Sequence, residues 1–309
     1  MEVIRFEEIR KFDQQPILSI GMFDGVHKGH QALLKELVQE AEREKTCSMV
    51  ISFDKHPRQV VSDNENEVKI LQTDSERIEK LSDSGVDYLV ILHFTKEIAK
   101  LEASEFLDRV IENINPKTLL LGYDNRFGRK GSLQFDEILA KGEYKNIKIR
   151  RTQDCVWHKE IEISSTQIRK ALEKGEVNLA NQMLGYAYTI EGKVINGYKI
   201  GRTLGFPTAN IQLTNNKLLP QDGVYAVECQ IDDKTYKGVL SIGERATFNI
   251  EGKSIELHIF FFDSEIYFKE IKIQIKDFLR EQQKFSSKEE LIEQITKDCE
   301  NAKNILYNN

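Results

Sequence analysis

Two histidines three residues apart, at the mouth of a helix, can do phosphate chemistry. "SIGMFDGVHKGHQALL" (19–34) reads as a strand, Ile17–Ile20, running through a short turn into a helix that begins near His30. The first free amides of a helix, with its dipole, attract an anion. Gly25 and Gly29 have no side chains, so a phosphate can approach the backbone closely. His27 and His30 would then donate to phosphate oxygens and, if protonated, stabilise charge developing in a transition state. Asp24 ends the strand and could orient a ribose or a metal. A lone histidine here would ordinarily be a surface residue; the joint pattern of strand, FDGxHxGH and helix points to phosphate.

A second anion site is legible in "ISSTQIRKAL" (163–172). Ser164, Ser165 and Thr166 are good N-caps for a helix that runs through Lys174 and stops at Gly175. Arg169 lies one turn in, and its planar fork suits a departing pyrophosphate. Further on, "GKVINGYKIGRTLGFPTAN" (192–210) spaces glycines at 192, 197, 201 and 205 ahead of Phe206-Pro207-Thr208-Ala209-Asn210. That run suits a flap over a nucleotide, and spacing alone equally allows a glycine-rich hairpin. In "SIELHIFFF" (254–262), alternation puts Glu256 and His258 on one strand face, where the carboxylate is either a base or a solvated glutamate.

The elements that must hold these residues fall into two textures. Up to about residue 184, strand-like runs ("CSMVISF", "YLVILHF", "TLLLGYD", "NIKIRRT") alternate with helical ones ("QALLKELVQEAEREK", "ASEFLDRVIENI"). That alternation predicts an α/β domain over 1–184, a parallel sheet with helices on both faces and ligands beyond the strands' carboxyl ends. From Tyr186, "AYTIEGKVI", "GVYAVECQI", "KTYKGVLSI", "SIELHIFFF" and "EIYFKEIKIQI" predict a small antiparallel β-barrel domain over 185–309. Asp232-Asp233 and Asp263-Ser264 are expected hairpin tips, and Ser286 or Ser287 caps a closing helix.

Composition limits the alternatives. A net charge of −6 argues against a bulk grip on nucleic acid or an anionic membrane. No apolar run approaches a membrane span, and the charged N-terminus does not read as a secretory signal. Four scattered cysteines with no CxxC pair fit a reducing cytoplasm and give zinc or dithiol chemistry little support.

The HxGH stretch and "ISST…R" resemble the nucleotidyltransferase superfamily, with a Rossmann-like fold, and "GFPTAN" resembles the riboflavin kinase signature. Together, in this order, they resemble the bacterial bifunctional riboflavin kinase/FMN adenylyltransferase (FAD synthetase) family across nearly the whole chain. The resemblance implies phosphorylation of riboflavin by ATP to FMN and ADP in the barrel. It also implies adenylylation of FMN by a second ATP in the α/β domain, giving FAD and pyrophosphate. It places ATP of the second reaction on Gly21, Phe23, Asp24, Gly25, His27, His30, Ser164, Ser165, Thr166 and Arg169, with flavin near His56, Pro57, Asp124, Asn125 and Phe127. In the barrel it places ATP on Gly192, Lys193, Gly201, Gly205 and Phe206 to Thr208, Mg²⁺–nucleotide on Thr208 and Asn210, the base on Glu256, and flavin near Arg280. The family pattern is departed from at Lys55 and Asn125, and at Ser241 and Ala246. Two rival readings are a kinase whose adenylyltransferase half is impaired and a flavin-binding regulator without turnover.

Overall fold

A computed structural model describes residues 1–61, 69–123, 125–128, 133–152, 156–197, 200–213, 216–245 and 250–308. The chain divides into two compact units, Met1–Ser165 and Thr166–Asn309.

In the first unit, β1 (Glu2–Arg5), β2 (Ile17–Ile20), β3 (Ser48–Phe53), β4 (Tyr88–Leu92), β5 (Thr118–Leu121) and β7 (Ile147–Arg151) form a parallel sheet in the order β1-β4-β3-β2-β5-β7. A short antiparallel strand, β6 (Glu143–Tyr144), closes one edge. Every residue of β2, β3 and β5 is buried, as the unbroken apolar runs predict. Alternate residues feed opposite faces: Met49, Ile51 and Phe53 join one apolar cluster, and Val50 the other. On the Val50 side lie α1 (Lys28–Arg43), through Leu33, Leu34 and Leu37, and α3 (Asp74–Asp83), through Leu81. The opposite side holds α5 (Ala103–Asn113) and α6 (Gln134–Lys141), through Phe106, Leu107, Phe135 and Ile138. Two short helices, α2 (Pro57–Val61) and α4 (Lys96–Ala99), follow β3 and β4. A hairpin, β8 (Trp157–His158) with β9 (Ile161–Glu162), precedes α7 (Ser165–Glu173).

The second unit is a closed six-stranded antiparallel barrel in the order β10-β11-β14-β13-β12-β15. Its strands are β10 (Tyr188–Ile195), β11 (Ala209–Leu213), β12 (Gly223–Ile231), β13 (Lys234–Arg245), β14 (Ile250–Ile259) and β15 (Glu270–Glu281). The helix α8 (Val177–Leu184) buries Val177, Ala180, Met183 and Leu184 and packs on β10 and β15. Its Asn181 accepts the Tyr188 amide at 2.7 Å and donates to the Ile275 carbonyl at 2.9 Å. A one-turn helix, α9 (Ile200–Thr203), sits in the glycine-rich connection, and α10 (Lys288–Tyr307) closes the chain on β12, β13 and β15. Ser287 is its N-cap and accepts the Glu290 amide at 3.1 Å.

Several expected boundaries move. The first motif helix starts at Lys28, earlier than expected, because His27 itself caps it. Gly175 stops α7 in the left-handed region (φ +72°), as its lack of a Cβ predicts. The strand expected through Phe262 ends at Ile259, where the chain turns with Phe261 at φ +54°. β11, the strand that begins within Pro-Thr-Ala-Asn, was not expected, since five residues carry little local signal.

Candidate active sites

The turn between β2 and α1 is held in unusual backbone geometry. Phe23 (φ +52°), Gly25 (+88°) and Val26 (+29°) all have positive φ. Only glycine accepts this without cost; each of the others stores roughly 1–3 kcal/mol. The Asp24 side chain is buried and its carboxylate accepts the amides of Leu71 and Gln72, with Oδ1 at 3.0 and 3.2 Å. It therefore ties the turn to the entry of α3. Ser165 Oγ donates to the Asp24 carbonyl at 2.7 Å, so the start of the second motif is pinned to the first.

Within the turn, His27 Nδ1 accepts the His30 amide at 3.3 Å, which leaves Nε2 of His27 as the ring's N–H donor in that tautomer. The two imidazoles stack, with centroids 3.7 Å apart and planes 17° apart, and Phe23 packs against His30 at 5.1 Å. Burial, and then the neighbouring His27, hold His30 well below the usual imidazole pKa. In the chain by itself this environment disfavours a charged His30 imidazole. Its buried Nδ1 has no hydrogen-bond partner among the described residues. A Cβ on Gly29 would stand 3.1 Å from His27 Nδ1 and 3.6 Å from the Ile163 carbonyl, so a side chain there would crowd the histidine.

Beside this turn opens a cleft of about 570 Å³ whose lining includes Gly29, Ala32, Leu33, Glu36, Arg150 and Val156. Sequence reading missed its charged wall. Arg150 on β7 is held between Glu36 (2.6 Å) and Glu40, one turn apart on α1. Equally hidden was Arg77 of α3, a buried cation that donates to the Phe53 carbonyl and Asp74, both at 2.8 Å, and to Met22 Sδ at 3.6 Å. Burial lowers its pKa, while Asp74, Asp24 and Asp54 act against that. The capping box of Thr73 and Glu76 marked this helix in the sequence, but nothing local marked where Arg77 would reach.

The flavin residues expected in this unit have mixed placements. His56 Nδ1 accepts the Arg58 amide at 3.2 Å at the start of α2, next to Pro57. Asp124 lies outside the described residues. Asn125 donates through its side-chain amide to the Ile20 carbonyl, so the residue that departs from the family pattern anchors its loop to the end of β2. The Phe127 ring packs edge-on to Phe135 at 4.8 Å and against Phe106 at 5.7 Å, in the apolar cluster under the sheet. Ser164 and Thr166 flank the first residue of α7, and half-buried Arg169 follows one turn in.

The barrel brings three motif residues together. In the β11–β14 pairing, Asn210 stands opposite Glu256 and Ala209 opposite Leu257. Thr208 Oγ1 donates to Glu256 Oε2 at 3.2 Å. Ile255, Leu257 and Ile259 are buried while Glu256 and His258 are partly exposed, which is the expected alternation. His258 Nδ1 lies 2.8 Å from the Pro207 carbonyl and clamps the Phe-Pro-Thr segment to β14. Burial lowers the His258 pKa, and the Pro207 carbonyl partly offsets this.

The motif glycines answer to close approach. A Cβ on Gly197 would fall 2.5 Å from Asn210 Cγ and closer still to its amide nitrogen; one on Gly192 would fall 2.6 Å from Ile211 Cγ2. Gly205 takes φ +86° and Gly201 accepts the Phe206 amide at 2.9 Å, which folds the loop back ahead of Thr208. Exposed Lys193 lies over the Phe268 ring at 5.8 Å. The Arg280 guanidinium meets buried Asp298 of α10 through Nε–Oδ1 (3.0 Å) and Nη2–Oδ2 (2.8 Å). Ala246 lies outside the described residues, and Ser241 accepts from Gln282 at 2.8 Å.

Thr208 and Asn210 offer hard neutral oxygens of the kind magnesium takes when phosphate oxygens complete its shell, and Glu256 stands beside them. Among the described residues no cluster of histidine, cysteine or acidic side chains suits a metal by itself.

Comparison with known proteins follows the same division. The family described as FAD synthetase matches residues 9–167, and that described as riboflavin kinase matches 184–306. The chain is 38% identical over 289 residues to the bifunctional riboflavin kinase/FMN adenylyltransferase of Listeria monocytogenes, covering 93% of this chain and 91% of that protein. Its namesake from Bacillus subtilis is 35% identical, with 95% and 93% covered, and that from Escherichia coli K12 is 33% identical, with 96% of each covered. A crystal structure of a macrolide-efflux protein from Streptococcus pneumoniae superposes with a TM-score of 0.85 at 30% identity, covering 96% of this chain and 97% of that one. Among the described residues no helix is long and apolar enough to cross a membrane.

Proposed function

The chain belongs to the bifunctional riboflavin kinase/FMN adenylyltransferase family, and on that premise we propose how its residues divide the two reactions. The enzyme phosphorylates riboflavin with ATP and adenylylates FMN with ATP. Residues 1–184 are assigned the adenylyl transfer and 185–309 the kinase reaction.

In the kinase reaction Glu256 accepts the proton of the ribityl 5′-hydroxyl as that oxygen bonds to the γ-phosphorus of ATP and ADP leaves. The Thr208–Glu256 hydrogen bond holds the carboxylate beside Asn210, and this contact is the observation that carries the assignment. Thr208 and Asn210 hold the magnesium–nucleotide; when bound, the ion offsets charge on the phosphate oxygens. Gly192 and Lys193 near the end of β10, with Gly201, Gly205, Phe206 and Pro207 of the connection to β11, contact the nucleotide's other side.

In adenylyl transfer an oxygen of the FMN phosphate bonds to the α-phosphorus of ATP, and the bond to the β-phosphate oxygen breaks. His27 and His30 donate hydrogen bonds to the phosphate oxygens. The amides at the starts of α1 and α7, the hydroxyls of Ser164, Ser165 and Thr166, and Arg169 take up charge on the leaving pyrophosphate. Gly21, Phe23, Asp24 and Gly25 shape the turn, and the cleft along α1 takes the rest of the nucleotide.

Purified protein with riboflavin, ATP and Mg²⁺ should yield FAD through FMN. His30→Ala should cut FAD formation by roughly 10² to 10³ and leave FMN formation near wild type. Glu256→Gln should do the reverse, lowering FMN output by roughly 10² while sparing Mg·ADP affinity. A folded His30→Ala protein that no longer made FMN would overturn the assignment, as would near-normal riboflavin phosphorylation by Glu256→Gln.

A further inference from the structure

A histidine–aspartate pair at the carboxyl edge of the parallel sheet has no part in the reading above. Asp54 is the first residue beyond β3 and His93 the first beyond β4. These strands are parallel neighbours, with Phe53 opposite Leu92. Both side chains therefore stand at the end of the sheet where open α/β folds take ligands. Asp54 Oδ2 lies 2.5 Å from His93 Nδ1, and Oδ1 accepts the Phe94 amide at 2.9 Å. Burial opposes charge on Asp54, but the His93 bond and the Phe94 amide outweigh it, and the carboxyl pKa falls below its usual value. An ionised Asp54 keeps the proton on His93 Nδ1 and so fixes the orientation of the ring.

The surroundings hold this pair still. The Phe53 and Phe94 rings meet edge-on at 5.0 Å, and the His93 amide donates to Glu7 Oε1 at 3.3 Å. Yet the His93 side chain is 56% exposed, and its Nε2 has no partner among the described residues. A ring fixed by a carboxylate on one nitrogen and open on the other is built to contact something that arrives from solvent.

The substrate's chemistry says what. The acceptor in adenylyl transfer is a phosphate monoester carrying about −1.5 to −2 charges, like any phosphomonoester near neutrality. It must approach a triphosphate without mutual repulsion. The groups assigned to ATP lie at the end of β2, and β2, β3 and β4 are consecutive in the sheet. At about 4.8 Å per strand, His93 stands roughly 10 Å along the same edge. That separation accommodates a second phosphate and its ribityl arm.

We propose that His93, oriented by Asp54, binds the phosphate-bearing arm of FMN during adenylyl transfer. His93 is then a substrate-binding residue and Asp54 a positioning residue. The proposal rests on the first unit being the adenylyltransferase.

Steady-state FAD formation from supplied FMN, with riboflavin phosphorylation by the same preparation as a control for folding, tests it. His93→Ala should raise the KM for FMN about tenfold or more, the scale of a charge-assisted hydrogen bond, and leave the KM for ATP within twofold. Asp54→Asn should raise the same KM by less. His93→Lys should recover part of the loss, and His93→Leu none. Should His93→Ala fold poorly, His93→Gln gives the same comparison. A KM for FMN unchanged within twofold would overturn the proposal, as would equal rises in both KM values, which would mark general distortion of the site. If the wild-type chain forms no FAD from FMN at all, the adenylyltransferase reading itself falls, and this proposal with it.

Discussion

Gly197→Ala should silence the kinase without unfolding the barrel. The added methyl would sit 2.5 Å from Asn210 Cγ, 2.9 Å from Oδ1 and nearer still to Nδ2. Ordinary carbon contacts lie at about 3.5–4.0 Å, so Asn210 or the loop must yield by at least about 1 Å. Asn210 is the buried side chain opposite Glu256, and Thr208 is bonded to that same carboxylate. A misplacement of about 1 Å in a positioned group costs roughly 10² in rate. FMN formation should therefore fall by about two orders of magnitude, with a weaker affinity for Mg·ADP by calorimetry. FAD formation from supplied FMN should stay within twofold, because its residues lie in other elements. The melting temperature should move little, since the close contacts all fall on the end of one side chain, Asn210. Riboflavin phosphorylation within threefold of wild type would refute the reasoning, because the crowding of Asn210 would then have no functional weight.

Other outcomes follow from the same geometry. A fragment starting at Thr166 should fold and phosphorylate riboflavin, whereas one starting at Tyr186 should melt lower or aggregate, because it loses α8 and both hydrogen bonds of Asn181; equal melting curves would show α8 to be dispensable. Arg280→Ala leaves Asp298 buried without its cation and should cost about 3–5 kcal/mol, read by denaturant titration. A higher KM for riboflavin with unchanged stability would instead make Arg280 a flavin contact. His30 should give the fold an acid-sensitive limb. Its folded pKa lies well below that of the unfolded imidazole, about 6.5, so the unfolded state binds more protons and stability drops as pH falls through that value. His30→Asn should flatten the fall in melting temperature between about pH 7 and 5, and an unchanged slope would place that proton uptake elsewhere.

Residue order alone determined much of this protein, wherever the cause was local. Period-two apolar texture gave β12 its limits, Gly223–Ile231, and Ser287 and Gly175 acted at their helix ends as cap and stop. Alternating strands and helices announced a parallel sheet, and the spacing of His27 and His30 placed both at the mouth of α1. Partners distant in sequence were settled by the tertiary structure. Asn210 and Glu256 are opposed only because the barrel closes β11 on β14. Only the fold brings Asp24 to the entry of α3, half-buried Phe127 against an apolar cluster and Arg280 to Asp298. An aspartate, a phenylalanine or an arginine has the same side chain whether it packs or binds. What decides is which amides, rings and charges the folded chain brings within about 3 to 5 Å of it, and no local propensity encodes that distance.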